Sequence, residues 1–581
     1  MAEPFFSQII NVQELNTKGD TGNVKEGNGS SNNYRDDRHV QIFDTTLRDG
    51  QQCPGAGMSF EHNIEYARLT CDLRVDILEA GFPSASNLDF KIVNTIAEEV
   101  TRLDYKPVIA ALCQLREEQV IRTIEALAPL IPFNQARVHI YLPVDPKLMP
   151  LSLGNRAQDK KQIIDDLSRL TKVAIDAGCQ VQFSPEGYSR MRENFDFTTE
   201  LIRAVIQAGG TIINCPDTIG GACDVEGKEY FVEKMNEHAS IIEREFPDKK
   251  ITWSTHCHND FGLAVQNSIN AVFRGPARQI EGCINGTGER AGNAALEQCI
   301  ILIKQFGPRV DSQKPFYTTI NNDKLQKISD FVSQHMLPRQ PHWPISGDNA
   351  ARHSAGGHTN AILKNPLAYQ PFDPITIGKK ISFVFGPLSG GNHAKAIIEG
   401  HGYICADSEK AEIAQFIKDY YHQRRKGITD KELIEVYCQY RAPIKIERID
   451  YSKSADSAKV KIYGKFFEVI GEIEEESFGR DSALAAVKNL IGKKFADLQL
   501  LHLESRSDSA GIDAMSLAHV LIADENNLQY EGNGKDHDWE IAAIKALVDA
   551  VNRAYIEKHF SIKRNQSTPQ SASLKKPVFV S

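Results

Sequence analysis

The stretch "VQIFDTTLRDG", Val40–Gly50, begins as an apolar run of strand character and ends in a loop that carries an arginine beside an aspartate. A doubly wound dinucleotide-binding sheet would follow its first strand with a Gly-x-Gly-x-x-Gly turn, and none stands here. Seven more short apolar runs lie downstream: "VDILEAG", "PVIAALC", "RVHIYLP", "VQFSPE", "TIINCPD", "ITWSTH" and "QIEGCIN". The segments between them change to a helical period. Phe60, Ile64, Ala67 and Cys71 form one stripe behind a capping Ser59, and Phe90, Val93, Ala97 and Val100 form the next. Eight strand–helix units between Val40 and about Phe306 predict an α/β fold, a (β/α)8 barrel.

In such a barrel, chemistry gathers where strands end and the following loops begin. The unusual polar residues of this chain stand there: Arg48 and Asp49 after the first strand, Glu79 ending the second, Glu186 after the fifth, Thr218 after the sixth, His256 and His258 after the seventh, and Asn293 beyond the eighth. His139 lies within the fourth strand. Alternate residues of an extended segment share a face, so His256 and His258 point together while Cys257 points away. Two imidazoles so placed make half a site for a divalent metal, and Asp49 brings a carboxylate from the first strand, next to strand eight and close to strand seven in a closed barrel. Imidazole plus oxygen suits a transition metal with positions left open for a substrate.

Composition narrows the partners. Lys+Arg 67 against Asp+Glu 76 gives a net charge of −9 in a chain of 581 residues, which offers no footprint for nucleic acid or an anionic membrane. No apolar run reaches spanning length. The 11 cysteines are scattered, without a Cys-x-x-Cys pair, and the start "MAEPFFSQII" lacks the features of an export signal. The expected location is cytoplasmic and the expected partners are small molecules.

Four motifs, "FDTTLRDGQQCPG", "LEAGFPSASNLDF", "THCHNDFGLAVQNS" and "NGTGERAGNAALE", resemble the DRE-type metal-dependent TIM-barrel enzymes, in particular the 2-isopropylmalate synthase family with its homocitrate and citramalate relatives. The likeness runs from Val40 to about Gly402 and more weakly from about Ala458 to Lys558. It implies a Claisen condensation of acetyl-CoA with 3-methyl-2-oxobutanoate, an acyl transfer with conversion to alkyl that leads to leucine. The alternatives are a sister synthase acting on another 2-oxo acid, and a catalytically silent amino-acid sensor. By resemblance a divalent metal (Mn, Mg or Zn) is held by Asp49, His256 and His258 with Asn293, and K+ is an activator. Arg48 stabilises charge on the ketone oxygen. Glu79, His139, Ser184 and Thr218 line the oxo-acid pocket, although Glu79 and His139 also read as a plain buried ion pair. Glu186 pairs with His358 of "HSAGGH" in proton abstraction, near Tyr369. Gln51, Cys53, Gly187 and Tyr188 depart from the usual pattern around these motifs.

The expected organisation is a flexible arm at 1–38, the barrel at 39–310, linker subdomains at 311–452, a regulatory and dimerising domain at 453–560, and a disordered tail at 561–581. The C-terminal region repeats a strand, an acidic Gly-containing turn and an Ala-rich helix in "GEIEEESFGRDSALAAVKNLIG" and "LQYEGNGKDHDWEIAAIKALVDAVN", two ββα-like units. The resemblance implies a homodimer inhibited by leucine, with Gly-rich turns around the effector.

Overall fold

The computed structural model describes residues 37–223, 231–423, 427–454, 456–478, 483–495, 498–508 and 514–562. The expected arm and tail lie outside these, apart from two residues at the inner edge of each.

All eight apolar runs form strands: β1 (Gln41–Asp44), β2 (Ile77–Glu79), β3 (Val108–Gln114), β4 (Ala136–Pro143), β5 (Gln180–Glu186), β6 (Ile212–Asp217), β7 (Thr252–Cys257) and β8 (Ala277–Gly282). They close in sequence order into one parallel barrel, with β1 paired to both β2 and β8 (Phe43 opposite Ile77, Asp44 opposite Gly282). The two apolar stripes become helices Phe60–Leu73 and Asn87–Thr101. Ser59 caps the first as expected, its Oγ accepting from His62 N at 3.1 Å. Among the described residues no helix is long and apolar enough to cross a membrane.

The period of two sorts each strand into opposite environments. Ile42, Leu78, Ile109, Val138, Phe183, Ile213, Trp253 and Ile280 join the apolar layer under the helices. Their neighbours face the lumen, where Phe43, Ile77, Val108 and Ala110 make a small separate apolar cluster on β1–β3. The remaining lumen is polar: Arg137, Gln182, Asn214, Ser254, Gln279 and Glu281 are all buried and bonded to one another. Such a lumen leaves little energy for packing, so the outer layer must hold the barrel together.

Past the barrel, helix Leu325–His335 packs beside the first barrel helix, and β9 (Arg352–His353) pairs in parallel with β10 (Ser382–Phe383). Helices Gly391–Gly400, Lys410–Tyr420 and Asp430–Arg441 share a core built on Ile398, Ile413, Leu433 and Tyr437. The last of these begins with a reciprocal cap, Thr429 with Glu432. The C-terminal repeats each carry one more strand than the sequence suggests: β11 (Ile444–Lys453), β12 (Ser457–Phe466) and β13 (Val469–Phe478) before helix Ala483–Gly492, then β14 (Gln499–Ser507), β15 (Ser516–Ala523) and β16 (Gln529–Asp536) before helix Trp539–Phe560. Both sheets are antiparallel. The glycines of "EGNGKDHD", expected in an effector turn, lie instead in β16 against the long helix. A Cβ on Gly532 or Gly534 would come within 2.1 or 2.0 Å of the carbonyl oxygens of Ala546 or Ala542, so close helix–strand packing accounts for them.

Candidate active site

A cavity of about 590 Å³ opens at the rim where the strands end, lined among others by Arg48, Asp49, His139, Ser184, Glu186, Thr218, His256 and His258. Period two aims His256 from β7 and carries His258 just past its end; their rings stack at 5.2 Å. One ligand atom from each of Asp49, His256 and His258 lies within 4.8 Å of the other two, the only such group among the described residues. Asn293 binds the cluster together, its Nδ2 donating to Asp49 Oδ1 at 2.6 Å and its Oδ1 lying 2.7 Å from His256 Nε2. Gly288 closes over it at φ +151°, where a Cβ would meet Asn293 Nδ2 at 2.1 Å and Asp49 Oδ1 at 3.0 Å. Among the described residues, His258 Nδ1 is buried with no hydrogen-bond partner. An orphaned imidazole nitrogen beside a carboxylate and a second imidazole fits a divalent cation.

Electrostatics favour the same reading. Burial opposes ionisation of Asp49, but the Arg48 guanidinium and the two imidazoles outweigh it and hold the carboxyl at about 2. Burial, aided by the neighbouring His256, pushes His258 down to about 4, which leaves its nitrogens free to ligate at neutral pH.

On the opposite wall, Arg48 bridges the cluster to the substrate side. Its Nη1 donates to Asp49 Oδ2 at 2.5 Å and its Nε to Glu79 Oε2 at 2.7 Å. Glu79 is fully buried beneath the cavity; it also accepts from Thr45 Oγ1 at 2.6 Å and bonds His139 Nδ1 at 2.6 Å. The buried pair of Glu79 and His139 is made, and His139, though not Glu79, also lines the cavity. Asn214 Nδ2 donates to Ser184 Oγ at 2.8 Å, which turns the Ser184 hydroxyl toward His139 Nε2 at 2.6 Å. Thr218 Oγ1 accepts from Gly187 N at 2.9 Å and so ties the loops after β5 and β6 together. Burial pushes the Glu186 carboxyl up, with Arg48 working against the shift and Asp145 with it.

The expected pairing of Glu186 with His358 is not made within the chain. His358 is exposed on helix Gly356–Ile362, its ring stacked on Tyr369 at 3.9 Å, and neither residue lines the cavity. That stack holds the imidazole on its own subdomain. Sequence reasoning also passed over Tyr141, Gln52, Glu289 and Arg290, which line the cavity, and Glu281 beneath it. Tyr141 was findable, two residues after His139 on the same strand face. Arg290 binds both carboxylate oxygens of Asp260 at 2.9 Å and the Thr218 carbonyl at 2.7 Å, pinning three rim loops.

Comparison with known proteins matches the same division of the chain. Residues 39–332 match the HMGL-like family, 345–425 the homocitrate synthase post-HMGL domain-like family, and 433–555 the LeuA allosteric (dimerisation) domain. A 2-isopropylmalate synthase of Aquifex aeolicus (strain VF5) is 32% identical over 541 residues, spanning 91% of this chain and 98% of that protein. One from Synechococcus sp. (strain RCC307) is 33% identical over 565 residues, spanning 94% and 99%. With the Asp49, His256 and His258 cluster intact at the barrel rim and the likeness running almost end to end, the chain belongs to the HMGL-like family, in its 2-isopropylmalate synthase branch.

Proposed function

We propose that this enzyme joins acetyl-CoA to 3-methyl-2-oxobutanoate and, with one water, releases 2-isopropylmalate and CoA on the route to leucine. The observation that carries the proposal is the rim cluster: a cation site, an arginine and a desolvated carboxyl facing one cavity. A divalent cation held by Asp49, His256 and His258 supplies Lewis acidity toward a 2-oxo acid. The chain's own groups do the rest. Arg48, fixed between Asp49 and Glu79, presents positive charge where the ketone oxygen becomes an alkoxide as its carbon bonds the acetyl methyl carbon. Glu186, raised by burial, is suited to the methyl proton. Ser184 and Thr218 hold the oxo acid, and Leu112 and Tyr141 face the cavity where its alkyl group is sorted from smaller ones. An intact site of this kind argues against the silent-sensor alternative.

The enzyme works as a homodimer in this reading, because the His358–Tyr369 pair is exposed and absent from its own cavity. His358 serves the cavity of a second copy, and the LeuA-type domain holds the two copies together. The same domain is the place for leucine inhibition, K+ is an activator, and the scattered free thiols suit the cytoplasm. The test is thiol release from acetyl-CoA with a panel of 2-oxo acids, with and without Mn2+, with leucine titrated in. The branched oxo acid should be preferred; a preference for pyruvate would sink the assignment. Mixing inactive Glu186→Gln and His358→Ala chains should restore about a quarter of the sites' activity through hybrid dimers, an order-of-magnitude figure for random pairing. No recovery on mixing would mean that each cavity uses its own chain.

A further inference from the structure

The lumen holds one buried carboxyl that none of these steps uses. Glu281 lies on β8, two residues after Gln279, and is fully buried. Its Oε1 accepts from Gln182 Nε2 at 2.7 Å, Ser254 Oγ at 2.8 Å and Gln279 Nε2 at 3.1 Å, and its Oε2 accepts from Asn214 Nδ2 at 3.1 Å. The direction of the two glutamine amides is set from behind. Arg137 Nη1 donates to Gln279 Oε1 at 2.9 Å and Gln182 Oε1 at 3.2 Å, and a guanidinium has nothing but donors. Both amide oxygens therefore turn to Arg137, and both NH2 groups turn to Glu281.

The fifth neighbour of Glu281 is His256 Nδ1, 3.3 Å from Oε2. Facing an oxygen whose other contacts are all donations, Nδ1 carries its proton toward Glu281. Nε2 turns to the cluster, where it donates to Asn293 Oδ1 at 2.7 Å and lies 3.9 Å from Asp49 Oδ2, and a cation bound there would take the place of that proton. The same arrangement occurs once more in this lumen, where Glu79 Oε1 holds His139 Nδ1 and Nε2 faces the cavity wall.

We infer that Glu281 is a positioning residue: by accepting from His256 Nδ1 it fixes the tautomer and ring orientation of that imidazole, so that Nε2 faces Asp49 and the site gains affinity for a divalent cation. The inference rests on the metal reading of the cluster. Outer partners of this kind are worth roughly 10–100-fold in metal affinity.

The test is calorimetric titration of metal-free, full-length wild type and Glu281→Gln with Mn2+ and separately with Zn2+, no substrate present, alongside thermal melting of each. Wild type should take up one cation per chain, and Glu281→Gln should bind it about 10–100-fold more weakly. A folded Glu281→Gln that binds as wild type overturns the role of Glu281 alone; a wild type that takes up no cation overturns the metal reading with it. Should the variant not fold, 15N-histidine spectra of Zn2+-loaded wild type decide, with the His256 signal assigned by its loss in His256→Gln. A proton on Nδ1 and none on Nε2 supports the assignment, and the reverse pattern sinks it.

Discussion

His256 at the barrel rim and His238, buried in the helical jacket, meet opposite fates. His256 is buried, yet Glu281 and Asp49 outweigh the burial and raise it above the usual histidine range. His238, on helix Phe231–Glu245, is buried as deeply, but its Nδ1 meets the Tyr188 hydroxyl at 2.7 Å, its Nε2 meets Thr199 Oγ1 at 3.0 Å, and its ring stacks on Phe195 at 4.0 Å. With no carboxylate in contact among the described residues, burial pushes it down to about 4. The desolvation penalty acts alike in both places. What differs between these two is the pair of anions that His256 has in reach.

Three substitutions sharpen the contrast, from the largest effect to the smallest. His256→Ala removes a ligand and leaves Asp49 and Glu281 facing an emptied wall; turnover in the thiol-release assay should fall by roughly 10³-fold, with melting changed far less. A residual rate within tenfold of wild type would place the chemistry elsewhere. His238 should act on stability instead. Its folded value lies below the unfolded one, so between pH about 6.5 and about 4 the unfolded chain binds the extra proton. Stability is therefore whole above that window and declines as pH falls through it, by roughly 3 kcal/mol across the span. Urea unfolding at pH 7 and pH 4.5 should show this decline in wild type and a flatter one in His238→Gln. Equal slopes in the two proteins would assign the acid sensitivity to other groups. Ser59→Ala, at the surface, removes one cap and should cost about 1 kcal/mol in the same measurement, with activity untouched.

The fold was legible because its signals are local. Eight apolar runs, two helical stripes and a capping serine each act within a few residues, and the barrel follows from their alternation. Asp49, His256 and His258 were legible for a related reason: strand parity and barrel closure bring them together without further knowledge. Glu281 was not. In "QIEG" it reads as an ordinary strand residue, and its importance comes from Gln182, Asn214, Ser254 and Gln279, which stand on four strands and show no common spacing. The place of His358 was not legible either, since nothing in "HSAGGH" states where its imidazole lies relative to the cavity. The third strand of each C-terminal repeat was missed for two reasons: β14 is mostly exposed, and β11, although Ile444 and Ile449 are buried, lies almost wholly on the linker side of the expected boundary at 452.

The amide lattice around Glu281 also bears on how such an enzyme can change over generations. Gln182, Gln279, Ser254 and Asn214 all spend a donor on one carboxylate, so replacing any of them strands a polar group that the others have no means of satisfying. That half of the barrel admits change only through several coordinated replacements. Leu112 and Tyr141 carry no such obligation, Tyr141 bonding only Gln114 among the described residues. New substrate preferences can arise there one mutation at a time while the catalytic half stays fixed, which suits this scaffold to becoming a family of sister synthases.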